Sequence, residues 1–268
     1  MHSPIEALPG RPFNAPDTPA ALTVLPFAVR HSPDERSAAE AVALAVHRAR
    51  EVLARRLGIV VPVRALVVDG PCTTDATPLR AESTLWIASR PCAGWSELAR
   101  MLDDRLPQRS RLLLRKSMGR AAGPLDLTTV AHEFAMDTYT AALARAAGSR
   151  FPRTWIANAF HAYARVVTLA EADPDALARE AHLAEVVSAV LPPSFGLADP
   201  AVRGIVERIE ATRDAVHAYA RHGWGPLARF LRAFPRGMAQ RSDPDLARLL
   251  VRELGDAAFL PTIEALAA

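Results

Sequence analysis

The chain has 268 residues, of which 50% are hydrophobic, 6% aromatic and 23% charged. That length is sufficient for a buried core in one large domain or two small ones, and the composition excludes a wholly disordered chain. The formal net charge is +3, and the basic residues are almost all arginines scattered among acidic residues, with Lys116 as the only lysine. Because no basic block is interleaved with aromatic residues, we expect no nucleic-acid partner.

Membrane association and secretion are also not indicated. No uninterrupted apolar stretch approaches 18 residues, so we expect no membrane partner and no spanning segment. Residues 1–21 are rich in proline and lack the apolar run of a signal peptide, which favours an extended tail. Cys72 and Cys92 form neither a disulfide framework nor a metal motif. We therefore predict a soluble, cytoplasmic protein.

Residues 22–123 are expected to form a small α/β part. Helical periodicity indicates a long helix that opens near Ser32 and ends at Gly58. Apolar runs of strand length flank it, so the long helix should pack on a small sheet. The predicted elements are strands at 22–30, 63–69 and 84–89, a short helix at 95–105, and a segment at 109–118 that is compatible with helix or strand.

Residues 124–268 are expected to be mainly helical. The segment Asp126-Leu127-Thr128 should cap one continuous helix that runs to about Ala147, with Gly148 as its stop. Prolines and glycines separate the later helices. These helices are predicted at about 153–172, 175–190, 199–221, 226–234, 243–254 and 257–267. The fold class predicted from this order is α+β.

The stretch TVAHEFAMD at residues 129–137 differs by one residue from a zinc-peptidase signature. The pattern His-Glu-x-x-His places two imidazoles one helical turn apart, beside a glutamate that activates water. His132 and Glu133 are present, but Met136 occupies the second histidine position. On a continuous helix, His132, Met136 and Tyr139 would share one stripe.

The next predicted helix contains the sequence WIANAFHAY, which begins at Trp155. Together the two helices resemble those of the gluzincin metallopeptidases, the aminopeptidase- and thermolysin-like group. In that family the zinc helix is followed by Trp-x-x-Glu-Gly-Phe/Leu-Ala-x-Tyr. Trp155, Phe160 and Tyr163 match this pattern, whereas the position of the third zinc ligand falls on Asn158. The resemblance covers about residues 24–268 and implies a zincin-like fold, in which an α/β part with an edge-stranded sheet packs on the helical part.

A later segment, AYARHGWGPL from Ala218 to Leu227, resembles the family's C-terminal Tyr-Gly-x-x-x-Leu element. The family places a tyrosine that stabilises the transition state in this half of the chain. Tyr219 is therefore a candidate binding residue of the cleft, although no motif anchors a catalytic role for it.

The resemblance implies the fold but not the chemistry, because two of the three zinc ligands are replaced. The thioether of Met136 is a poor ligand for Zn²⁺, and Asn158 offers a neutral carbonyl in place of a carboxylate. His132 alone is not expected to hold zinc. The leading hypothesis is a metallopeptidase-like protein without zinc, cofactor or peptidase activity. Its cleft would bind a peptide, a partner protein or a small ligand.

Two alternatives remain open. In the first, the protein is an active metal-dependent hydrolase, with zinc held by His132 and His161 and with Glu133 as the general base. In the second, it is a non-catalytic helical scaffold.

Without a metal, Glu133 would lie near a hydrophobic gap, where an unpaired charge is costly. Arg165 lies two turns after Asn158 on the same helix face, and His161 is adjacent. We expect Glu133 to pair with Arg165, His161 or His132. Asn158 and Arg165 are further candidate binding residues of the cleft.

Overall fold

The computed structural model describes residues 25–68, 70, 84–119, 122–234 and 241–254. The predicted tail at 1–21 and the predicted last helix at 257–267 lie outside these ranges. In chain order the strands and helices are β1 (Ala28–His31), α1 (Arg36–Leu57), β2 (Ala65–Val68), β3 (Thr84–Ile87), α2 (Ala93–Arg105), α3 (Gln108–Ser117), α4 (Thr128–Glu133), α5 (Met136–Ala146), α6 (Thr154–Ala172), α7 (Pro174–Val190), α8 (Pro200–His222), α9 (Gly225–Ala233) and α10 (Asp243–Leu254).

The three strands form a parallel sheet in the order β1-β2-β3. Every residue of the central strand β2 is buried, as expected for a parallel sheet covered on both faces. Helix α1 connects β1 to β2 and ends at Gly58, whose left-handed φ of 67° allows its N–H to bond to the Ala54 carbonyl. The α+β fold class is therefore confirmed, and the ambiguous segment at 109–118 is the helix α3.

Two apolar clusters fill the interior of the described part. The first joins the sheet to α1, α5, α6, the second half of α8, α9 and α10. The second joins α2, α3 and α4 to α7 and the first half of α8. Each cluster therefore contains residues from both sides of position 124. Helix α6 lies against α1, α5, α7, α8 and α9. This central position explains why α6 is apolar around most of its circumference.

The packing of α2 on α8 is close at Gly94. A Cβ added there would lie 2.9 Å from Cδ1 of Ile205 and 3.0 Å from the backbone carbonyl carbon of Ala201. Glycine is therefore required by the helix–helix distance at this point of the second cluster.

The prediction of one helix from Asp126 to Ala147 is wrong, because the helix is interrupted at Phe134–Ala135. There the Ala135 N–H bonds to the His132 carbonyl at 3.0 Å, a three-residue spacing tighter than that of an α-helix. The interruption falls where the chain passes between the clusters: Phe134 packs in the second, and Ala135 and Met136 pack in the first. Arg208 stabilises the turn by donating to the Phe134 carbonyl at 3.3 Å.

None of the helices in the described ranges combines the length and apolar character needed to cross a membrane.

Candidate functional site

The two matching residues of the zinc-like motif point to different neighbours. Nε2 of His132 lies 3.1 Å from the Ser89 carbonyl, just after β3. A carbonyl only accepts, so this nitrogen carries the hydrogen. Glu133 is buried and accepts a hydrogen bond of 2.6 Å from Nη2 of Arg179 on α7. A cation therefore does compensate Glu133, but the cation is Arg179, which the sequence analysis did not name, and not Arg165.

Arg165 instead lies at the centre of a buried ionic cluster. Its Nε donates to Glu180 at 2.8 Å, its Nη2 donates to Thr212 at 2.7 Å, and its Nη1 donates to Asp137. Arg208 donates a second charged hydrogen bond to Asp137, at 2.6 Å. Four helices, α5, α6, α7 and α8, are joined in this way at the boundary between the two apolar clusters.

The ring of Phe134 completes the cluster. The guanidinium carbon of Arg165 lies 3.6 Å from the ring centroid, and that of Arg208 lies 4.7 Å from it. Trp95 contacts the same ring edge-on at a centroid distance of 5.2 Å. The aromatic residue inside the broken motif thus binds two cations through its π system.

The two carboxylates beside Arg165 differ in acidity. Burial by itself would raise the pKa of Asp137, but the nearby charges of Arg165 and Arg208 lower it to about 2. Burial raises the pKa of Glu180, which forms an ion pair with Arg165. Burial would likewise lower the pKa of Arg165, but Asp137 and Glu180 outweigh it and hold that pKa above its ordinary value. The central ion pair Arg165–Asp137 therefore stays charged at neutral pH.

Glu133 is the one carboxyl of the motif that titrates near neutrality. Burial, aided by the negative charge of Glu180 and opposed by Arg179, raises the pKa of Glu133 to about 7. Its Oε2 atom is buried and accepts no hydrogen bond from the described residues. A carboxyl held this way is half protonated at pH 7, which weakens its bond to Arg179.

His161 on α6 contacts Thr140 on α5. Its Nδ1 is 2.7 Å from Oγ1 of Thr140, and that hydroxyl already donates to the Asp137 carbonyl at 2.9 Å. Nδ1 of His161 is therefore the donor in this pair. Burial lowers the pKa of His161 to about 4, so the imidazole is neutral at physiological pH.

The remaining predicted residues lie in or beside the first apolar cluster. The side chain of Met136 is fully buried there, and Tyr219 packs against the same cluster from a half-buried position. Asn158 is also half-buried on α6. Neither Asn158 nor Tyr219 forms part of the ionic cluster around Arg165.

The residues that match the family pattern on α6 also have packing roles. Phe160 stacks with Phe151 and Phe230 in the first cluster, and the hydroxyl of Tyr163 donates to the Gly223 carbonyl at 2.7 Å. Trp155 packs against the same cluster. The pattern that suggested a partner helix for a zinc motif thus supplies core contacts.

The donor set does not fit a zinc ion. Across the ranges that the structure describes, no three His, Cys, Asp or Glu side chains are grouped so that they could hold a metal. His132 faces Ser89, Glu133 faces Arg179 and His161 faces Thr140. These contacts give no support to the alternative in which His132, His161 and Glu133 form a rearranged centre, and we derive no chemistry through a metal.

A cavity of about 260 Å³ lies beside α10, away from the predicted site residues. Its lining residues are Arg241, Asp245, Arg248, Leu249 and Arg252. Two of its arginines pair along their own helix, Arg248 with Asp245 and Arg252 with Glu253.

A scan with protein-family models gives no match, and searches among curated proteins and among solved structures also give none. The resemblance to gluzincins therefore rests on the residues quoted from the sequence alone.

The sequence pointed to Arg165 but not to its partners Asp137, Glu180 and Thr212, nor to Arg208. It also did not point to Arg179, which pairs with Glu133. Arg179, Glu180 and Arg208 are spaced like ordinary surface residues of amphipathic helices, and the helix pattern does not distinguish them. The sequence signal that could have indicated the cluster is Arg165 itself, a charge in the middle of the apolar run AYARVVTLA on α6. A charge in such a run requires partners from neighbouring helices.

Proposed function

We propose that this chain is a non-catalytic, metallopeptidase-like protein that binds a partner without zinc and without hydrolysing it. The observation that carries the proposal is the hydrogen bond between Glu133 and Arg179, at 2.6 Å in a buried setting. A general base must reach a water molecule beside the substrate. Glu133 is instead hydrogen-bonded to an arginine inside the fold. A zincin-like ancestry and a cytoplasmic location stay predictions from the sequence.

A second candidate, the helical scaffold, is favoured by the way the predicted site is filled. Arg165 and Arg208 each pack against the ring of Phe134, inside the motif stretch 129–137. In the cleft hypothesis, replacing Asn158 or Tyr219 weakens partner binding. In the scaffold hypothesis, the partner binds elsewhere on the helical surface and those replacements have no effect.

The test of the absence of catalysis measures metal and activity together. The protein is purified without chelator, its zinc content is measured by mass spectrometry, and hydrolysis of a mixture of quenched fluorogenic peptides is followed. We expect substoichiometric zinc and identical background rates for the wild type and Glu133→Gln. Stoichiometric zinc that is lost in His132→Ala, or hydrolysis that is lost in Glu133→Gln, would overturn the proposal.

A further inference from the structure

Helix α3 presents one exposed face with a distinctive order of side chains. Arg109, Leu112, Leu113 and Lys116 are all exposed and follow the spacing i, i+3, i+4 and i+7, which places them on one stripe of the helix. Leu114 points the opposite way and is fully buried in the second apolar cluster. One side of α3 therefore packs on the second apolar cluster through Leu114. The other side exposes Leu112 and Leu113 to solvent, with Arg109 before them and Lys116 after them.

The exposure of these leucines is unusual in the described part of the chain. Leu112 is 48% exposed and Leu113 is 54% exposed, and they are neighbours in sequence and on the helix surface. Single exposed leucines are ordinary on protein surfaces, but contiguous ones rimmed by polar residues mark interaction sites. The comparable exposed side chains Leu44 and Val60 belong to α1 and to the segment that follows it.

The charged side chains of α3 itself are all of one sign. The stretch from Arg105 to Gly119 contains no aspartate or glutamate. Within it, Arg115 and Arg111 turn towards Asp103 on α2 and compensate that carboxylate, at 2.9 Å and 3.9 Å. Arg109 and Lys116 remain at the two ends of the leucine pair. The complementary surface is thus apolar in the middle and acidic at both ends.

We propose that this α3 face docks an acidic amphipathic helix of a partner protein. Apolar side chains of that helix would cover Leu112 and Leu113, and its carboxylates would pair with Arg109 and Lys116. The inference rests on the binding role proposed above and specifies the partner's chemistry. Because the apolar area is small, the complex is of the weak, transient class.

A membrane surface is a poorer occupant of the same face. A helix that lies in a membrane interface needs a broad apolar face, usually with aromatic residues. Helix α3 exposes two leucines and contains no aromatic residue. A single peptide helix with matching anchors fits a patch of this size.

The probe is a fluorescein-labelled acidic peptide of about 18 residues, with leucines at the spacing i, i+3, i+4 and i+7 and glutamates at the other exposed positions. Binding to the full chain is followed by fluorescence anisotropy, and a scrambled peptide of equal composition is the control. We expect saturable micromolar binding that weakens with added salt. Leu112→Ser/Leu113→Ser should weaken it roughly tenfold or more. The matched pair Leu44→Ser/Val60→Ser should leave it unchanged.

Lys116 allows a second, independent readout because it is the only lysine of the chain. Carbodiimide treatment of the complex should join a peptide carboxylate to the Lys116 amine, and peptide mapping locates the bond. Lys116→Arg keeps the charge, so it should retain binding and lose this cross-link. Arg109→Glu/Lys116→Glu should lose both.

The inference fails if the peptide does not bind, if the scrambled peptide binds equally well, or if the leucine variants bind like the wild type. It also fails if an RNA oligonucleotide or phosphatidylcholine–phosphatidylserine vesicles bind in the same leucine-dependent way as the peptide. Zinc content and peptidase rates are measured on the same preparations. A negative peptide result with no zinc and no hydrolysis rejects the α3 surface alone, whereas bound zinc with hydrolysis rejects the proposed function.

Discussion

Replacement of Arg165 by methionine tests the buried ionic cluster most directly. Arg165→Met keeps an unbranched apolar stem but removes the hydrogen bonds to Glu180, Asp137 and Thr212. Removing one member of a buried ion pair costs about 3–5 kcal/mol, because the remaining charge is left without a partner. Asp137 keeps Arg208, whereas Glu180 keeps no ion pair with any described residue. We therefore expect the free energy of unfolding to fall by about 4 kcal/mol.

The assay is urea unfolding followed by circular dichroism at pH 7, with Glu180→Gln and the double variant completing a cycle. Since Glu180→Gln removes the charge that Arg165→Met leaves unpaired, the double variant should be more stable than additivity predicts, by roughly 2 kcal/mol. Arg36→Met is the control, because its exposed pair with Glu40 is worth less than about 0.5 kcal/mol. Additive losses, or equal losses in Arg36→Met and Arg165→Met, would refute the reasoning.

The remaining predictions concern acidity, metal binding and packing. The free energy of unfolding of the wild type, relative to Glu133→Gln, should fall by about 3 kcal/mol as pH rises from 4.5 to 7. The ring signals of His161 in NMR spectra should show no titration above pH 5, since its pKa is about 4. Met136→His/Asn158→Glu restores the ligand types of the family. We nevertheless expect this variant not to bind zinc at micromolar concentration, because the helix is interrupted between positions 132 and 136. Competition with a zinc-chelating dye measures the binding. Gly94→Ala should lower the melting temperature and reduce the free energy of unfolding by about 1–3 kcal/mol, because its Cβ would overlap α8.

The direction of the Glu133 effect follows from proton linkage. The pKa of this carboxyl is about 7 in the folded protein and ordinarily 4.5, so the folded state binds the proton more tightly. The folded state is therefore favoured below pH 4.5, and this advantage disappears as pH rises through 7. His161 acts oppositely, because its protonation between pH 6.5 and 4 favours unfolding. Comparison with Glu133→Gln cancels the contribution of His161, and a pH-independent difference would contradict the prediction.

Periodicity predicted most of the fold in the described ranges. The long helix ended by Gly58, the second and third strands, and the helices now seen as α6, α7, α8, α9 and α10 lie within a few residues of their predicted positions. The first strand was predicted at 22–30 and is shorter, at Ala28–His31. Local signals such as a glycine after the last turn, or a proline in the first, determine these boundaries. The interruption at Phe134–Ala135 could not be predicted in this way. It depends on which apolar cluster each side chain enters and on Arg208, which is distant in sequence.

Contacts between residues distant in sequence also determine the candidate site, and the sequence did not predict them. The motif indicated that Glu133 needs a cation once the metal is lost, and a cation is present. The expected partners Arg165 and His161 were chosen on the assumption that the motif helix is continuous and that the next helix supplies the cation. The partner comes from α7 instead, because the turn at Phe134 directs Asp137, rather than Glu133, towards Arg165. Helical spacing shows which residues share one face of a helix. It does not show how that helix is rotated about its axis relative to the helix that packs against it.

The turn between α4 and α5 also has a consequence for how the folded chain opens. Helix α4 belongs to one apolar cluster and α5 to the other, and three-residue backbone bonds join them. If each cluster behaves as a cooperative unit in amide hydrogen exchange, its boundary must fall at Phe134–Ala135. Arg165 and Arg208 contact Phe134 and form ion pairs with Asp137, so they oppose any opening that separates the two clusters. Loss of Arg165 should therefore let the helices on either side exchange at different rates, even where both remain folded.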